Sequence, residues 1–309
     1  MSCCTIPSHR TTPAPVIVIG LGVAAVSAAS IFIRFAQAAG AASLMIAAMR
    51  LVIASALLAP LAWSRCRAEF RTLTPKELAL ALISGLCLGG HFAAWILSLA
   101  LTNVISSVVL VSFSPLFVAI ASAVFLKERI SGRMWLGMVI AVAGGIAIGL
   151  ASATGAANGP MTTGRNPLFG DGLALAGAMC LTPYLIIGRA LRAKLSLLAY
   201  ITLVYGSGAI ALLVLVGVTH TPLTVSDPSA WAWIALLAAV PQLIGHTAFN
   251  WAVRRMPAVF ATVPVLGEPI GSSILAIVVL GEIAKPLTLA GAALALAGII
   301  LLSRTAGDA

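Results

Sequence analysis

Arg50 and Glu268 stand deep inside stretches that are otherwise almost wholly apolar. On an insertion scale, an arginine, lysine or aspartate near the middle of a membrane helix costs about 2.5–3.5 kcal/mol. Such groups are therefore kept against a cavity or a partner, and they mark sites by default. The runs that hold them begin near residues 41 and 257, so at 1.5 Å per residue they lie roughly 14 and 17 Å deep. Their shared depth allows an ion pair. One reading has either group meeting a polar substrate, or Glu268 acting as a proton-sensitive gate; the other has both locking the bundle. His91 and His246 are also buried in apolar runs. They can take up and release protons near neutral pH or simply bond a neighbouring helix. Trp95 and Tyr184 offer flat rings to a ligand, and Asn250 takes in the second half of the chain the place Trp95 has in the first. Pro115, Pro264 and Pro269 fall within apolar runs, where a missing N–H and a ring clash bend a helix and free carbonyls.

Other chemistries lack their residues. No HExxH, GxSxG or paired-aspartate motif is present, and no GxxxxGK[ST] or GxGxxG follows a strand. The five cysteines form no CxxC or Cys/His cluster, so neither a metal nor a cofactor is expected. The chain is not expected to be an enzyme. An intramembrane enzyme or a non-transporting membrane sensor remains the alternative to a transporter.

The elements that must position these residues follow from composition. Of 309 residues 61% are hydrophobic and 8% charged, against about 25% charged in a soluble domain, so the lipid bilayer is the solvent. A span needs about 20 apolar residues, and ten candidates appear: 15–34, 41–62, 77–101, 104–126, 132–151, 171–190, 195–218, 230–252, 257–280 and 286–303. The expected organisation is a leader (1–14), five spans (15–151), an external linker (152–170), five spans (171–303) and a tail (304–309). Fourteen of the eighteen lysines and arginines fall in loops at one end or in the termini. By the positive-inside rule that end is cytoplasmic, with both termini inside. The +10 charge is thus topology information, and nucleic-acid binding is not expected. Trp231, Trp233 and Trp63 read as interfacial anchors.

The halves repeat. Pro115 precedes Glu128 by the spacing at which Pro269 precedes Glu282, and Gly137 and Gly144 meet Gly291 and Gly298 at the same offset; His91 meets His246 one residue out of step. With five spans each, the halves enter the membrane oppositely, a recurring plan of secondary transporters. Ser114-Pro115-Leu116-Phe117 running to Leu126-Lys127-Glu128, Glu268-Pro269-Ile270 running to Leu280-Gly281-Glu282, and Arg50 in span 2 resemble the EamA-type ten-span members of the drug/metabolite transporter superfamily. The resemblance covers about residues 16–303. It implies an all-α membrane fold of ten helices in two inverted five-helix repeats around a central cavity. It also implies alternating access for a small metabolite (amino-acid-like, nucleobase or drug-like), with export the expected direction. Protons are the coupling ion the histidines suggest, and the short-looped, Ala-rich chain suits a bacterial inner membrane. Substrate, coupling ion and oligomeric state are not legible.

Overall fold

The computed structural model describes residues 13–125, 131–153, 166–248 and 258–306. No strand occurs among them. Span 1 comprises Pro13–Ser27 and Ala29–Ala38, span 2 Ser43–Arg71, span 3 Pro75–Leu101, and span 4 Val104–Val111 and Ser114–Phe125. Span 5 is Gly132–Ala153, span 6 Pro167–Leu191, span 7 Leu197–Val218, span 8 Ser229–Leu237 continued by Ala238–His246, span 9 Ala258–Leu280 and span 10 Pro286–Ala306. Nine helices among the described residues are long and apolar enough to cross a membrane, and Gly267–Leu280 is a shorter apolar helix.

Local chemistry sets the boundaries. Thr74 and Glu77 form a reciprocal capping box at the start of span 3, with Pro75 in the first turn where its missing N–H is harmless. Asn103, Asn166 and Ser196 accept hydrogen bonds from the N–H groups of Ser106, Phe169 and Ala199, starting spans 4, 6 and 7. The Asn166 cap explains why span 6 begins before residue 171. Span 2 runs to Arg71, past Pro60 and past residue 62, because Arg, Ala and Glu after the apolar run favour helix. Span 9 is continuous through Pro264 and Pro269, whereas span 4 breaks at Ser112–Phe113, just ahead of Pro115.

The two halves pack as an antiparallel pair. Span 5 lies along span 10, span 2 along span 7, span 3 along span 6, and span 1 against spans 8 and 9. Replacing each span by its repeat mate leaves this arrangement unchanged: span 3 on span 6 becomes span 8 on span 1. Glycines show the axis directly. Gly137 packs on Gly298 and Gly144 on Gly291, each against the mate of the other. A Cβ at Gly137 or at Gly291 would stand 2.9 Å from the facing carbonyl oxygen of Gly298 or Gly144. The close approach that small residues allow therefore fixes the two-fold relation of the repeats.

Candidate functional site

Arg50 is fully buried at the centre of a cluster drawn from both repeats. Its Nη2 donates to Gln242 Oε1 at 2.6 Å, and its guanidinium lies over the Phe92 ring, 3.8 Å from the centroid. Guanidinium over an aromatic face is a favourable cation–π geometry. Nε and Nη1 have no hydrogen-bond partner among the described residues. Glu268 is half-buried and close enough for its charge to act on Arg50, yet the two make no direct ion pair. The partner the sequence suggested for Arg50 is thus replaced by an amide in span 8.

Gln242 reaches Arg50 because span 8 changes its winding. Ala238–His246 is a π-helix, with Pro241 inside it. Proline supplies no N–H and so disturbs the i→i−4 ladder, and π-turns recur at functional sites. The widened turn presents Gln242 and, one turn on, His246.

The other residues singled out in the sequence fall in two groups. His91 rings stack on Trp95 at 6.0 Å and contact Phe92 at 4.9 Å, and His246 meets Phe92 edge-on at 6.1 Å. His91 Nδ1 bonds the Gly177 carbonyl oxygen of span 6 at 3.0 Å, so one nitrogen serves helix packing. Both histidines feel the Arg50 charge. Trp95 is buried with Nε1 unpartnered among the described residues. Tyr184 stacks on Tyr200 at 6.3 Å, and Tyr200 Oη and Ser84 Oγ are 2.9 Å apart. Asn250 lies outside the described residues. Trp233, read as an interfacial anchor, packs on Phe35 and Phe32 of span 1, with centroids 4.7 and 6.0 Å away.

A second polar cluster lies at the end opposite the basic loops. Arg34 is fully buried and pairs with Glu282, Nη2 to Oε1 at 3.1 Å. The same Nη2 donates to the Thr102 carbonyl oxygen at 2.9 Å. Glu282 accepts from the Val104 N–H at the start of span 4, at 2.9 Å to Oε2 and 3.2 Å to Oε1. Gly281 sets up this contact. Its φ of 65° is the left-handed helix ending that glycine favours, and it lets the Glu282 N–H return to the Ala276 carbonyl at 3.1 Å. Thr102 Oγ1 donates to Asp171 Oδ1 at 2.8 Å, and Ser152 Oγ bonds the other oxygen. At the edge of this end Asp227 is exposed, and the N–H of Ser229 holds its carboxyl below the usual range. Sequence reasoning missed Gln242, a polar residue beside a proline in an apolar run. It also missed the Arg34–Glu282 pair, whose members lie 248 positions apart.

Two buried guanidiniums, a crossing of paired glycines and a repeated set of spans now stand together. The EamA-like transporter profile matches residues 14–150 and again 168–304. The chain belongs to the EamA-like transporter family. Among its relatives is a probable terminal-alkyne amino-acid exporter of Streptantibioticus cattleyicolor, 27% identical over 63% of this chain and 62% of that protein. An uncharacterized transporter of Archaeoglobus fulgidus is 27% identical over 84% of this chain and 88% of its own. A solved crystal structure shares the fold with a TM-score of 0.61 at 16% identity, covering 95% of this chain and 98% of that one. Family membership agrees with the all-helical two-repeat architecture and with a multi-pass membrane protein.

Proposed function

We propose that this protein is a secondary transporter that exports a small amino-acid-like metabolite by alternating access, with Arg50 holding the substrate's anionic group. The observation that carries the reading is the buried Arg50 guanidinium, with two nitrogens unspent among the described residues and no carboxylate in direct contact. A planar guanidinium matches a carboxylate by two parallel hydrogen bonds. Glu268 offers a complementary charge for an ammonium, and Phe92, Trp95 and Tyr184 offer apolar surface to a side chain. The amino-acid exporter among the relatives supports the substrate class and the outward direction. The basic loops are cytoplasmic in this reading and both termini inside, in a bacterial inner membrane. No covalent step is involved.

The test is counterflow in proteoliposomes with a panel of labelled amino acids, acyclic and aromatic. Wild type accumulates at least one of them, whereas Arg50→Met and Glu268→Gln do not, at equal protein level. Uptake unchanged in both variants would remove these residues from the site. A pH gradient imposed on the same vesicles decides coupling: accumulation that follows its sign assigns protons, and indifference assigns facilitated exchange.

A further inference from the structure

Resting on the alternating-access reading, we propose that Arg34 and Glu282 form the latch that closes the end opposite the basic loops and parts when that end opens. The pair joins span 1 of the first repeat to the 281–285 loop of the second, and the same carboxylate grips the first N–H of span 4. Arg34 and Val104 are both carried on short terminal segments, Ala29–Ala38 and Val104–Val111. Each segment is divided from the rest of its span, at Ala28 and at Ser112–Phe113. The two short segments are thus tied through one carboxylate, one by the ion pair and the other by its first N–H.

A buried ion pair suits a part that moves. Its Coulomb attraction and the cost of stripping water from both ions nearly cancel. Opening returns both ions to water together and costs little. The closed geometry is nevertheless specific, because either ion alone in the closed arrangement is strongly disfavoured. A polar neighbour reinforces the same register: Asp171 of span 6 reaches the latch through Thr102. Lys285, in the same loop, is exposed.

The repeat supplies a second, independent argument. Ile31 and Arg34 meet Ile186 and Arg189 at the offset that relates His91 to His246. Arg34 is buried and paired, whereas Arg189, at the basic end, is exposed. Equivalent arginines in opposite environments are what a two-fold molecule shows when one end is shut. When the halves exchange roles, Arg189 takes the place Arg34 holds here.

Double electron–electron resonance on the full chain in lipid nanodiscs tests the latch. The five native cysteines are replaced, and spin labels are placed by A38C and L287C, both exposed positions at the latched end. Two populations are expected in the parent. Arg34→Gln and Glu282→Gln each move weight to the longer distance, the charge exchange Arg34→Glu with Glu282→Arg restores the shorter one, and Arg189→Gln moves weight to the shorter. Folded single variants with the parent's distribution overturn the proposal. If the single variants do not fold, a charge exchange that fails to restore the short distance, or an Arg189→Gln variant without a shift, overturns it equally. Counterflow on the same preparations separates the two readings. Distances that respond without flux of any amino acid sink the substrate assignment and keep the latch, and flux with unresponsive distances does the reverse.

Discussion

Among the described residues two arginines are buried, Arg34 and Arg50, and their surroundings are opposite. Arg34, at the latched end, has a carboxylate, a carbonyl and a capped helix start around it. Arg50, at the centre, has one neutral amide and an aromatic face. Burying a guanidinium without a contacting carboxylate is the costlier choice. On the proposed reading, the unspent nitrogens of Arg50 are kept for a substrate, whereas the paired Arg34 defines shape. That reading assigns function to one site and stability to the other.

The sharpest way to break this comparison is Glu282→Gln, which leaves Arg34 buried against a neutral amide. Removing one member of a buried pair costs about 3–5 kcal/mol, here charged to the closed arrangement. The expected result is a lower melting temperature and easier proteolysis at the latched end, with ligand affinity at the centre kept. Arg50→Met should do the reverse. Loss of charge-assisted hydrogen bonds worth about 1.5–3 kcal/mol weakens substrate binding about ten- to hundredfold. The melting temperature stays level or rises, because a buried charge is gone. Gln242→Ala sharpens the central half of the argument. It removes one hydrogen bond to a charged group that the substrate can partly replace, so affinity falls by less than in Arg50→Met.

The smallest effect concerns Asp227, which shares the latched end but is exposed. The Ser229 N–H lowers its folded pKa beneath the unfolded value of about 3.9. Its contribution is thus present above that value and is lost as pH falls through the lower, folded one. Thermal unfolding of wild type and Asp227→Ala should differ slightly near neutrality and converge in strong acid. A difference that grows in acid would contradict the capping role.

Much of the fold was legible because lipid imposes it. Apolar runs, loop charge and the repeated Pro, Gly and Glu positions all follow from the need to cross a bilayer twice over in opposite senses. Arg50 was legible for the same reason, since its burial is costly wherever it points. Its partner was not. Gln242 carries no charge to flag it, and its reach depends on a π-helical turn that Pro241 permits but does not by itself require. Glu282 read only as a repeat marker and its pairing with Arg34 was hidden, because only the assembled topology brings the two within 3.1 Å. The ring contacts of Trp233 were equally illegible: a tryptophan at a span end gives no sign of its aromatic neighbours, here Phe32 and Phe35.

The most direct measurement is calorimetric binding of a transported amino acid and of the amine left when its carboxylate is removed, to wild type and to Arg50→Met. Wild type should bind the amino acid and discriminate strongly against the amine, while Arg50→Met, folded and no less stable, should lose the discrimination. Equal discrimination by both proteins would show that the carboxylate is held elsewhere and that the unspent nitrogens of Arg50 are not its site.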